Sequence, residues 1–239
     1  MKNIVNIIKN SEKTVNIKLL GDSITHGMGG TGYKESGEYI VFDELHNSDW
    51  HRNPDGFCWA KLFKEYMEEN YNCTVTNNGC SGVNIAFITK HFDTLVDEKD
   101  DIIICTIGTN NRHWFFDWGE KPDKETFTES VYKDILELNE KLKKSGKYYV
   151  LVANIPCSQS READGDIFWH ILDMPDINAL YHKAYAECGF PFVSLYDLFS
   201  EYCNKNGVTV DSLLADGLHP NDEGYKVMFD LIMKEMGVK

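Results

Sequence analysis

Positive charge is scarce in this chain. Against 38 aspartates and glutamates stand 24 lysines and arginines, a formal net charge of −14 over 239 residues. Proteins that hold nucleic acid neutralise phosphates with clustered Lys and Arg, and docking on anionic lipid needs the same. The deficit argues against both partners and leaves neutral or cationic substrates. Long apolar runs are also missing. None approaches the roughly 18 residues of a membrane span, so no membrane insertion is expected. Residues 1–10 hold one short apolar patch, followed by Ser11-Glu12-Lys13, without the apolar stretch and small-residue cleavage site of an export signal. The expected location is cytoplasmic. Seven cysteines (58, 73, 80, 105, 157, 188 and 203) include no Cys-x-x-Cys. An odd, scattered set excludes a disulfide framework and fits reduced, mostly buried thiols. The eight histidines form no His-x-x-x-His or His-Glu pair, so no metal is expected. No internal repeat or low-complexity linker breaks the chain, and residues 1–239 read as a single domain.

What is present is an alternation of two periods. Strand-like apolar runs are Val15–Leu20, Cys73–Asn77, Ile102–Ile107, Tyr148–Ala153 and Phe192–Leu195. Helical stripes lie between them: Phe57–Asn70 with Asp55 as a candidate cap, Glu125–Ser145 stopping at Gly146, and Asp176–Cys188. A last helix is capped by Asn221 or Asp222. Strands alternating with helices imply an α/β fold, a parallel sheet covered on both faces in three layers. Two segments break the rhythm. The first, 26–54, is rich in glycine, acidic residues and aromatics. The second, 111–123, holds Trp114, Phe115, Phe116 and Trp118. Long irregular connections are often functional, or else surface loops that pack their own aromatics.

The first strand stops at Gly21, and Ser23 follows. Open α/β sheets bind ligands outside the carboxyl ends of their strands, so Ser23 stands where a nucleophile would be useful. Alone, Gly21-Asp22-Ser23 is an ordinary turn. Gly27-Met28-Gly29-Gly30-Thr31-Gly32 imitates the G-x-G-x-x-G dinucleotide fingerprint. It begins seven residues past the strand, however, and opens no helix, so a flexible loop is the better reading. In Asp216-Gly217-Leu218-His219-Pro220, an aspartate can hold one ring nitrogen of His219 and leave the other to take a proton from serine. The alternative is an Asp-Gly turn with a surface histidine. Gly82, in Asn77-Asn78-Gly79-Cys80-Ser81-Gly82, can present an unobstructed backbone N–H. Asn110, in Ile107-Gly108-Thr109-Asn110, carries an amide that can donate to developing negative charge. Ser23, Gly82 and Asn110 each follow one of the first three strands, and a strand order 2-1-3 sets them side by side.

Together these blocks closely resemble the SGNH (GDSL) hydrolase family. The resemblance rests on Gly21-Asp22-Ser23, Ser81-Gly82, Gly108-Thr109-Asn110 and Asp216–Pro220, in the family's order and over most of the chain. It implies a flavodoxin-like three-layer α/β/α sandwich with a five-stranded parallel sheet of order 2-1-3-4-5. It implies Ser23 as nucleophile, His219 as base and Asp216 as the residue orienting it. Gly82 N–H, the Asn110 amide and Ser23 N–H would form the oxyanion hole, and no cofactor or metal is required. One departure is Asn111, where the family usually has aspartate. The expected activity is hydrolysis of short-chain acyl esters, an acetylesterase acting on a carbohydrate or similar polar alcohol. The aromatics after Asn110 and their charged neighbours motivate that choice, and Asp22, Arg112 and Trp114 are the candidate substrate contacts. The expected partner is thus a small-molecule or oligosaccharide ester. The alternatives are a lysophospholipase or thioesterase of the same family, or a non-catalytic carbohydrate-binding protein on the same scaffold.

Overall fold

The apolar runs become strands because the sheet they form is covered on two sides. The computed structural model describes residues 4–158 and 167–238. Its strands in chain order are β1 (Val15–Gly21), β2 (Tyr39–Asp43), β3 (Ser48–His51), β4 (Cys73–Gly79), β5 (Ile102–Ile107), β6 (His113–Phe115), β7 (Tyr148–Ala153), β8 (Phe168–His170) and β9 (Phe192–Ser194). Its helices are α1 (Ile4–Lys9), α2 (Ser23–His26), α3 (Trp59–Asn70), α4 (Ile85–Lys90), α5 (Phe92–Leu95), α6 (Lys124–Lys144), α7 (Met174–Cys188), α8 (Leu195–Asn206) and α9 (Asp222–Glu235).

Five strands make one parallel sheet in the order β4-β1-β5-β7-β9. Renumbered by position among the five, this is the 2-1-3-4-5 order expected. The pleat sorts side chains by parity. Ile17, Leu19, Ile102, Ile104, Val150 and Val152 join one core with α1, α3, α8 and α9. Leu20, Ile103, Cys105, Ile107, Leu151 and Ala153 join the other with α4, α5, α6 and α7. A sheet apolar on both faces needs near-continuous apolar runs, which is why these strands were visible in the sequence.

The strand order reverses at β1, with β4 on one side and β5 on the other. In that register Gly21 stands opposite Gly79 and Thr106. The loops leaving β1, β4 and β5 therefore share one rim, at the topological switch point where such sheets place ligands.

Local expectations shift in three places. The cap of α3 is Cys58, whose sulfur accepts from Lys61 N, and not Asp55. Asp55 belongs to a preceding turn closed by Asn53 Oδ1 and Gly56 N. Leu195 opens α8 instead of ending a strand, because Ser194 accepts from Asp197 N and turns the chain into a helix. The two irregular segments contain antiparallel pairings. Segment 26–54 folds β2 onto β3, and segment 111–123 supplies β6, which pairs with β8.

Candidate active site

The site starts with a turn only glycine allows. A Cβ on Gly21 would lie 2.2 Å from Thr25 Oγ1 and 2.3 Å from the Thr106 carbonyl oxygen. Immediately after it, Asp22 caps α2 by accepting from Ile24 N at 3.1 Å. Ser23 is the first residue of that helix, so its N–H has no intrahelical carbonyl to serve. Its hydroxyl donates to His219 Nε2 at 2.9 Å, a contact between residues 196 apart in sequence. The other ring nitrogen, Nδ1, donates to Asp216 Oδ2 at 2.8 Å. Asp216 Oδ1 accepts from Leu218 N and His219 N at 3.0 and 2.9 Å. Burial works to raise the Asp216 pKa. The bonds from His219 backbone and ring and from Leu218 N outweigh it and hold the pKa near 2. Asp216 is thus a carboxylate across the working pH range, and the tautomer that leaves Nε2 facing Ser23 is the stable one. Two backbone bonds steady the turn, Ala215 N to the His219 carbonyl at 2.8 Å and Ser158 N to the Gly217 carbonyl at 2.9 Å.

The glycine-rich stretch expected to be a flexible loop is packed instead. Gly29 has φ +92°, and a Cβ there would sit 2.8 Å from His219 Cβ. A Cβ on Gly30 would lie 1.8 Å from the Phe57 carbonyl oxygen. These glycines permit close approach to the histidine turn and to the start of α3.

Gly82 and Asn110 come to the same rim. Cys80 N donates to the Gly21 carbonyl at 2.9 Å, which seats the 80–82 turn beside the end of β1. Gly82 has φ +75°, a left-handed conformation unfavourable for other residues. Asn110 Nδ2 donates to the Val83 carbonyl at 2.8 Å. That bond uses one amide hydrogen and leaves a second. Asn111, the departure from the family pattern, accepts from Ile85 N at 3.0 Å through Oδ1. An amide fills that acceptor role as well as a carboxylate.

The expected substrate contacts divide. Asp22 is wholly buried, and Asn154 Nδ2 donates to its Oδ2 at 2.7 Å. Arg112 is 1% exposed, with Nε donating to the Thr109 carbonyl at 2.8 Å and a guanidinium nitrogen 3.1 Å from Cys157 Sγ. Neither side chain reaches solvent, so both act as internal braces. Asp22 ties the serine turn to the end of β7, and Arg112 ties the turn after β5 to residue 157. Trp114 is half-buried, its ring edge-on to Trp118 at 5.2 Å and Phe127 at 6.0 Å.

Sequence reasoning passed over three polar residues here. Asn154 follows β7 directly, so the strand-end argument that found Asn110 points to it too. His26 is buried, bonded to Ser81 Oγ at 3.0 Å and to the His51 carbonyl at 2.8 Å, and its burial lowers its pKa. Through Ser81 it steadies the residue before Gly82. His46 stands over Gly82 itself, with ring atoms 3.2 Å from where a Cβ would be.

The GDSL-like Lipase/Acylhydrolase family profile matches residues 19–227. Among curated proteins, none matches the chain significantly in sequence. In fold, the chain is similar to a lipase/acylhydrolase from Enterococcus faecalis, with TM-score 0.61, 21% identity, and 94% of this chain and 96% of that one covered. It is also similar to an acetylxylan esterase from Geobacillus stearothermophilus, with TM-score 0.64, 16% identity, and 95% and 96% covered. A third is a GDSL-like lipase from Parabacteroides merdae, with TM-score 0.63, 19% identity, and 96% and 99% covered. With the family profile spanning the turns at Ser23, Gly82, Asn110 and His219 in one continuous match, the chain belongs to the GDSL-like lipase/acylhydrolase family of carboxylic ester hydrolases.

Proposed function

We propose that the protein is a serine esterase that removes short acyl groups, acetyl above all, from a carbohydrate or similar polar alcohol. The observation that carries the reading is the continuous hydrogen-bonded chain Ser23–His219–Asp216 at 2.9 and 2.8 Å. In this mechanism Ser23 Oγ attacks the ester carbonyl as His219 Nε2 takes its proton. The oxyanion that forms is met by Ser23 N–H, Gly82 N–H and the second amide hydrogen of Asn110. His219 then protonates the leaving alcohol, and later draws a proton from water to release the acyl group from Ser23. Asp216 stays ionised throughout and stabilises the transient imidazolium.

Two observations favour an uncharged, acetylated carbohydrate. The −14 charge disfavours anionic substrates. One structural neighbour is named for acetylxylan, an acetylated carbohydrate. The test is p-nitrophenyl acetate hydrolysis by wild type, Ser23→Ala and His219→Ala, with circular dichroism to verify folding. Activity in the wild type and its loss in both folded variants is the expected result. A rate shared by all three would remove the triad. Octanoate preferred well over acetate would move the reading to a lipase.

A further inference from the structure

The sequence contains Asp-x-Leu-His twice, at 216–219 and at Asp43-Glu44-Leu45-His46. Both copies fold alike. Asp43 Oδ1 accepts from Leu45 N at 2.9 Å and His46 N at 3.4 Å, as Asp216 Oδ1 does from Leu218 N and His219 N. Asp43 Oδ2 accepts from His46 Nδ1, the counterpart of the Asp216–His219 bond. Asp43 is 1% exposed and also takes a bond from Trp50 Nε1 at 3.3 Å. Burial works to raise its pKa, but the His46 ring, Leu45 N and Trp50 more than offset this and keep it below the usual carboxylate value. With Nδ1 engaged by a buried carboxylate, Nε2 is the polar atom His46 has left to offer. The ring edge bearing it lies beside Gly82. Among the described residues, no serine, threonine or cysteine bonds to it, so this second pair prepares a hydrogen-bonding group rather than a nucleophile.

His46 is also one wall of a cavity of about 310 Å³, completed by Leu45, Phe115, Phe116, Asp117 and Ile167. The two irregular segments meet there, His46 from the first and Phe115 from the second, with ring centroids 6.0 Å apart. Phe116 and Ile167 are 41% and 61% exposed, apolar area open to a ligand. A cavity at the small end of ligand sites has room for a ring rather than a long chain. Aromatic faces edged by an imidazole and a carboxylate match a molecule with an apolar face and polar rim, as a sugar ring has. We propose that His46, oriented by Asp43, is a specificity-determining residue. With Phe115 and Phe116 it holds the hydroxylated ring of the ester's alcohol half beside the oxyanion glycine. This rests on the esterase reading above.

The experiment compares two acetyl esters, 6-O-acetylglucose, whose ring keeps free hydroxyls, and vinyl acetate, whose alcohol half is too small to use the cavity, with p-nitrophenyl octanoate as a long-acyl control. The variants are His46→Leu, His46→Gln and the exposed-site Phe116→Ala. Losing one ligand hydrogen bond is worth about tenfold. His46→Leu should therefore raise KM for the sugar ester about tenfold more than KM for vinyl acetate, lowering the sugar-to-vinyl ratio of kcat/KM about tenfold. His46→Gln should recover part of the loss, and Phe116→Ala should raise the sugar KM severalfold. Equal losses on both esters would overturn the assignment, leaving His46 as a support for the Gly82 turn. So would unchanged kinetics on both, or a loss confined to p-nitrophenyl octanoate, which would place the acyl half in the cavity. A wild type inactive on both acetates is a different failure, that of the esterase reading itself.

Discussion

Two aspartates in this site answer pH in opposite directions. Burial pushes Asp22 from the ordinary 3.8 up to about 7, against the bonds from Ile24, Thr109 and Asn154. A carboxyl raised by folding contributes stability fully below about pH 4, and that contribution is lost as pH rises through 7. Beside it Asn154 Oδ1 is buried without a partner among the described residues, an acceptor within reach of a protonated Asp22 after the amide turns over. Asp22→Asn should therefore flatten the stability decline between pH 4 and 7, read from urea midpoints. An unchanged slope would place the titration elsewhere. Asp216, held near 2, has the opposite sign: its contribution is present above about 3.8 and is lost as pH falls toward 2. Asn110 carries a catalytic prediction. Removing one oxyanion donor typically costs on the order of 10²–10³ in kcat, so Asn110→Ala should lose at least about a hundredfold with circular dichroism unchanged. A rate within a few fold of wild type would take Asn110 out of the proposed oxyanion hole. Asp216 and His219 were readable because they sit in one turn. Arg112 was misplaced because a charged residue in a loop reads as exposed, whereas here Thr109 and Cys157 close around it.

Strand β1 carries an element-scale surprise. Lys18 is 1% exposed within an apolar run, its ammonium 2.9 Å from Asp97 and 3.5 Å from Asp100. Asp100 is itself buried, and that burial raises its pKa. Asp97 is largely exposed, so the buried pair is Lys18 with Asp100, and removing one partner of such a pair costs about 3–5 kcal/mol because it strands the other charge. Lys18→Ala should lower the unfolding free energy by that order while sparing the chemistry at the far end of the strand. A loss under about 1 kcal/mol would mean that Asp97 and Asp100 find other partners or water. The glycine loop after α2 offers a second test. A Cβ on Gly30 collides with the Phe57 backbone, which cannot swing aside as a side chain does. Gly30→Ala should destabilise by roughly 1–3 kcal/mol, visible as a lower melting temperature. A neutral result would show that the segment is as loose as its composition suggested.

At the scale of the whole molecule, the acidic surface biases which esters approach. Its field repels anions within a Debye length, about 10 Å at 0.1 M salt. Raising salt from 0.02 to 0.5 M, on the order of the range over which such fields are screened, should raise kcat/KM for a carboxylate-bearing acetyl ester. It should leave vinyl acetate unaffected, and parallel curves would show that the charge lies away from the site. The chain by itself determined the parts: five apolar runs, most helix spans, the strand-end positions of Ser23, Gly82 and Asn110, and the internal bonds of an Asp-x-Leu-His turn. All depend on neighbours within a few residues, so they are written locally. Tertiary structure decided which parts meet. It brought Ser23 to His219 across 196 positions, set His46 over Gly82, and sealed Asp22 and Arg112 inside. Desolvation and long-range contact follow from strand order and from which segments fold over the rim, and no window of sequence carries that information.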